Sequence, residues 1–119
     1  MGHGKDVQDG LREPYRALRA ALPEVFRAYG ELSRTAMAAG HLDVKTKELI
    51  ALAISVSKQC DGCIASHAKG AARAGATAEE VAEALAITIS MNGGPGTVYA
   101  PRAYDAFREF AGLLGEEPG

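Results

Sequence analysis

Alternation of apolar with polar residues is confined in this chain to short runs such as "ITISMN", and that scarcity decides its fold class. A half-buried strand needs a period of two. Val, Ile and Thr line up in that way only in such short runs, which lie inside longer stretches of helical spacing. Apolar residues instead return every three or four positions, the spacing that gathers them along one side of a helix. Alanine, the strongest helix former, is the most frequent residue. The pattern reads as an all-α bundle of five to seven helices.

Local signals divide the bundle. A first helix is predicted over "LREPYRALRAAL", broken near Pro23, which suits the first turn of a second helix, "PEVFRAYGELSRTAMAAG", stopped by Gly40. Asp43 is a suitable N-cap for "VKTKELIALAISVSK". Leu49, Ile50, Leu52, Ala53, Ile54 and Val56 surround that helix almost completely, which suits the centre of a core or of an oligomer. A fourth helix is predicted from about Cys60 to Ala74, with Gly75 as its stop. Thr77 and Glu80 have capping-box spacing for the fifth. "NGGPG" then reads as a firm break before a last helix with Tyr99, Ala103, Phe107, Phe110 and Leu114 on one face. "GEEPG" reads as a frayed tail. The 119 residues fit a single domain, 1–119, with its core at about 24–114.

Composition excludes several classes. Hydrophobic residues make up 47% and charged residues 24%, unlike a disordered chain. No apolar run approaches the ~18 residues of a spanning helix, so no membrane is expected. The N-terminus lacks an apolar signal region, so the expected location is cytoplasmic. Thirteen Lys and Arg are dispersed among fifteen Asp and Glu, for a net charge of −2, with no basic run. Nucleic acid is therefore not an expected partner.

The chemistry concentrates in "KQCDGCIASHAKG", which holds both cysteines, Cys60 and Cys63, and His67. In a reducing compartment a Cys-x-x-Cys points to reversible redox chemistry or to part of a metal site. Cys63 and His67 are four apart, one turn along a helix face. The first turn also favours negative charge, so helix and imidazole together favour a thiolate. Three residues of separation on a helix allow an intramolecular disulfide. Glu48 lies on the apolar core helix among Val44, Ala51 and Leu52, where a carboxylate needs a partner or a proton. With a turn at about Gln59, it can fold back beside Cys60 and His67. His3 reads as part of a mobile terminus and His41 as a solvent-facing residue between helices.

The pattern Glu48–x11–Cys60–x2–Cys63–x3–His67, with the flanks "KTKELIALAISVSKQCDGCIASHAKGAARAGATAEEVAEALAI", resembles the alkylhydroperoxidase D-like branch of the carboxymuconolactone decarboxylase superfamily. The resemblance runs from about Leu42 to Phe110. It implies an all-α homo-oligomer, trimer or hexamer, and thiol-dependent reduction of alkyl hydroperoxides. It implies Cys63 as the thiol oxidised to a sulfenic acid and Cys60 as proton donor and resolving thiol. Glu48 and His67 take the proton-relay positions. No bound cofactor is expected. The implied partners are a hydroperoxide substrate and an external dithiol donor of the lipoyl type. The family's peroxidases often carry a second histidine immediately before the second cysteine, where this chain has Gly62. Decarboxylation is not expected, because that branch generally lacks the cysteine pair. Two alternatives use the same residues: a general thiol-disulfide oxidoreductase or redox sensor, and a zinc module held by Cys60, Cys63, His67 and Glu48.

Overall fold

The computed structural model describes residues 2–114, and the predicted tail at 115–119 lies outside them. The described residues form six helices and no strand: α1 (Lys5–Ala21), α2 (Pro23–Met37), α3 (Val44–Ser57), α4 (Asp61–Arg73), α5 (Ala78–Asn92) and α6 (Gly94–Phe110). None of them is long and apolar enough to cross a membrane.

The core belongs to the last four. Leu52 and Val56 of α3, Ile64 and Ala68 of α4, Val81 and Leu85 of α5 and Phe107 of α6 bury into one cluster. Phe107 is its largest fully buried side chain. Burial of a side chain of that size stabilises by about 1.5–3 kcal/mol. Alanines at 68, 71, 100, 103 and 106 are buried too, so the helices approach closely. By contrast α1 and α2 bury no residue. They form a hairpin seated by Tyr15 edge-on to Phe26, with ring centroids 5.0 Å apart, and α1 lies against α4.

Caps fix the boundaries of the core helices. Asp43 accepts the Thr46 N–H at 2.7 Å. Thr77 and Glu80 form a reciprocal capping box. Lys45 reaches Glu80 at 2.9 Å and ties the start of α3 to the start of α5. At the far end Asn92 Nδ2 donates to Ser57 Oγ at 2.9 Å, so the two helices run parallel.

Several predicted boundaries are corrected. α1 starts at Lys5, and Pro14 lies within it. Pro14 faces solvent, so the Gly10 carbonyl that loses its helical partner is open to water. The segment around His3 is held rather than mobile. Lys5 N–H donates to Glu109 Oε1 at 2.9 Å, and Gly4 is buried beside Phe110. α2 ends at Met37 rather than Gly40, because Ala38 is extended and Lys47 Nζ donates to the Ala36 and Ala38 carbonyls at 3.0 and 2.6 Å. The break at "NGGPG" narrows to Gly93, whose φ of 67° turns the chain directly into α6. Leu114 lies past the end of that helix and is exposed. The apolar circumference of α3 is only partly covered: Leu52, Ser55 and Val56 are buried, while Ile50 and Ile54 are 45% and 54% exposed. His41 is exposed between α2 and α3, as the sequence suggests.

Candidate redox site

α3 and α4 meet at a sharp reversal. Gln59 adopts a φ of 55°, and Cys60 N–H donates to the Ser55 carbonyl at 3.1 Å. Cys60 becomes the N-cap of α4, and its sulfur accepts the Cys63 N–H at 3.2 Å. Cys60 and Cys63 are joined as a disulfide, with Cα atoms 5.2 Å apart. Their exposure differs: Cys63 faces solvent and Cys60 is half-buried.

One turn beyond Cys63, His67 Nδ1 lies 2.7 Å from Glu48 Oε1. Both side chains are mostly shielded, at 27% and 15% exposed. The carboxylate on the apolar helix has thus found its partner, nineteen residues away in the chain. Glu48 faces His67 rather than the cysteines. It lines a separate depression of about 520 Å³ with Ser66, Lys69, Gly70 and Arg73, whereas His67 lines the groove that holds both cysteines.

Gly70 makes this pairing possible, and sequence reasoning missed it. A Cβ at residue 70 would overlap the Glu48 carboxylate. The carboxylate therefore lies in a notch that one missing methyl leaves on α4. The only sequence signal is a glycine three residues after His67, which in "KGAARAGA" reads as ordinary small-residue packing.

α1 was also missed as part of the site. The groove over the disulfide, about 620 Å³, has its floor on α4 and a wall from α1, with Tyr29 of α2 at its edge. Leu11 explains the glycine at position 62. A Cβ there would lie 2.9 Å from Leu11 Cδ1, so a side chain at that position would have to push α1's leucine aside. Asp61, in the first turn of α4, is met by Arg102 at 3.4 Å, which braces that turn against α6. Among the described residues, no three His, Cys, Asp or Glu side chains converge as a metal-holding group.

An all-helical core with a Cys-x-x-Cys at a helix start, backed by a His–Glu pair, describes one class of redox-capable protein. The model of the carboxymuconolactone decarboxylase family matches residues 23–112, and the chain belongs to that family. It is 41% identical over 97 residues to an uncharacterised protein of Cupriavidus necator, covering 82% of this chain and 86% of that one. It is 39% identical over 93 residues to an uncharacterised protein of the cox locus of Paracoccus denitrificans, covering 78% and 81%. The crystal structure of an apo carboxymuconolactone decarboxylase family protein from Legionella pneumophila superposes with a TM-score of 0.80 at 40% identity, covering 92% of this chain and 94% of that one. A Thermotoga maritima structure superposes with a TM-score of 0.69 at 32% identity, covering 81% and 88%.

Proposed function

We propose that the protein is a thiol-dependent peroxidase of the alkylhydroperoxidase D-like branch, reducing organic hydroperoxides with Cys60 and Cys63. The observation that carries this reading is the Cys60–Cys63 disulfide in an open groove beside His67, itself held by Glu48.

The cycle balances as follows. With both cysteines reduced, the Cys63 proton passes to His67, and Glu48 stabilises the imidazolium 2.7 Å away. The Cys63 thiolate attacks the hydroperoxide, so that an S–O bond forms and the O–O bond breaks. The departing alkoxide takes the proton of Cys60 and leaves as the alcohol. Cys60 thiolate then attacks the sulfenic sulfur of Cys63. The disulfide forms, the S–O bond breaks, and hydroxide leaves as water with the proton held by His67. An external dithiol supplies the two electrons for the next turnover. It meets the exposed Cys63 sulfur first and displaces Cys60 as thiolate, whose charge the Cys63 N–H favours from 3.2 Å. It is then itself released as a disulfide.

The proposal includes a homo-oligomer. The chain exposes 7511 Å². A folded monomer of 12.4 kDa exposes about 6,100 Å². Its radius of gyration is 14.6 Å, against about 13.5 Å for a compact domain of this length. The excess is apolar in places: Ile54, Ile87 and Met91 are 54%, 64% and 79% exposed on the parallel pair α3 and α5.

The test is anaerobic reduction followed by one equivalent of cumene hydroperoxide. The expected result is one equivalent of cumyl alcohol and a protein lighter by two hydrogens. Cys60→Ser is expected to stop at a dimedone-trappable sulfenic acid on Cys63, and Cys63→Ser to consume no peroxide. Oxidation by small disulfides but not by hydroperoxides would instead favour a general thiol-disulfide oxidoreductase, which the same exposed disulfide supports.

A further inference from the structure

The wall that α1 presents to the disulfide groove is positively charged. Arg12, Arg16 and Arg19 all line the groove. Their spacing of four and three places them on one side of the helix. Among the described residues no carboxylate lines the groove, although the chain as a whole carries a net charge of −2. The acids of α1 nearest these arginines lie on its flank: Asp9 meets Arg12 at 3.0 Å and Glu13 meets Arg16 at 3.8 Å. Both pairs are solvent-exposed, and pairs of that kind are held weakly. Arg19 rests on the Tyr15 ring, 5.9 Å from its centroid, and has no carboxylate partner among the described residues. Leu11, Tyr15 and Tyr29 add apolar surface to the same lining.

The arginines follow the groove along α1, with Arg12 nearest the cysteine end and Arg19 farthest from it in the chain. Leu11 sits over Gly62 at the cysteine end. Arg19 is eight residues further on, which is about 12 Å along a helix axis. A ligand that fills it has a reactive end at the sulfurs, an apolar body against Leu11 and the tyrosines, and a negative end on the guanidiniums. Guanidinium forks suit a carboxylate in bidentate geometry.

We propose that this groove selects a hydroperoxide that carries a carboxylate on an apolar aryl or acyl body, with the carboxylate bound by the α1 arginines. The proposal rests on the peroxidase reading for its chemistry, and its binding site is tested apart from that chemistry. The reaction is the two-electron reduction already given: the O–O bond breaks, the carboxylated alcohol and water leave, and the electrons come from the external dithiol.

The experiment compares cumene hydroperoxide with its para-carboxylate, using dithiothreitol as donor, in wild type and in Arg16→Gln/Arg19→Gln. For the wild type we expect the KM of the carboxylate to lie about tenfold below that of the neutral compound, the size of one charge-assisted contact. The ratio is expected to fall to near one in the double variant and to shrink in high salt. In parallel, calorimetry measures binding of the carboxylated alcohol product to the disulfide form, which needs no turnover. Equal KM values in wild type, an unchanged ratio in the double variant, or an effect confined to the KM of dithiothreitol would each overturn the proposal. So would absence of arginine-dependent product binding. Arginine-dependent binding without turnover of either hydroperoxide would uphold the anion site and reject the peroxidase reading. Turnover of both without preference would do the reverse.

Discussion

Gly70→Ala separates the chemistry of this site from its stability. The new methyl would occupy the notch that holds the Glu48 carboxylate. The atoms it displaces are the far end of a flexible side chain, so Glu48 swings away and the backbone stays. The hydrogen bond from His67 to Glu48, 2.7 Å and mostly shielded, is then lost. Losing it costs about 0.5–1.5 kcal/mol, or up to about 3 if the pair is charged. Alanine in place of glycine inside a helix returns about 1 kcal/mol. The net change is within about 2 kcal/mol, and the thermal midpoint should move by no more than about 10 °C. In the proposed cycle turnover depends on the relay itself, and loss of a positioned acid–base group should lower it by about 10²-fold or more. Glu48→Gln should lower it to a similar extent. Gly10→Ala is the control, because a methyl there meets nothing within 4 Å and the residue lies outside the groove. Consumption of cumene hydroperoxide under saturating dithiol, beside thermal melts of all three variants, makes the comparison. Wild-type turnover in Gly70→Ala, with Glu48 shown displaced by crystallography, would refute the relay. A collapse of stability with no folded protein would refute the claim that the side chain and not the backbone gives way.

Acid should weaken the core through its caps. Asp43 is held below the ordinary aspartate value by hydrogen bonds from Thr46, and Glu80 below the glutamate value first by the Thr77 N–H and then by Lys45. Carboxyls lowered on folding add stability that is fully present above their unfolded values and is lost as pH falls through the folded ones. The melting midpoint should therefore hold from pH 7 to about 5 and decline below about 4, less steeply in Glu80→Gln; a midpoint as high at pH 3 as at pH 7 would contradict this. Light scattering coupled to gel filtration should give a multiple of 12.4 kDa at micromolar concentration, and Ile54→Glu/Met91→Glu should shift it toward one chain. A monomeric wild type would show that the exposed isoleucines on α3 and α5 are not an interface.

What the sequence revealed of this molecule was mostly local. Asp43, the Thr77–Glu80 box and the turn at Gln59 act within a few residues, so their signals survive without knowledge of the fold. The Glu48–His67 pairing was legible because a short reversal joins two neighbouring helices, and a carboxylate on an apolar stripe needs a partner. What stayed hidden depends on distant parts of the chain. The Lys5–Glu109 contact spans a sequence separation of 104. The first helix is legible from its sequence, but its position over the disulfide is not. Gly70 was hidden for a different reason. Its importance is a space, and a glycine has no side chain whose chemistry could signal what fills that space.

The division between α1 and the core helices has a consequence for how such a protein can change. The family-wide match begins at residue 23, beyond the end of α1. The cysteines, His67 and Glu48 sit on helices anchored by the buried core, where almost any exchange disturbs packing. The arginines and tyrosine facing them sit on a helix with no buried residue, where exchanges cost little stability. Mutation can thus rewrite the lining of the groove, one exposed position at a time, while the cysteine pair and the His67–Glu48 contact are inherited intact. Chains sharing this core should then diverge first in what they accept, and the first seventeen-residue helix is the place to look for that divergence.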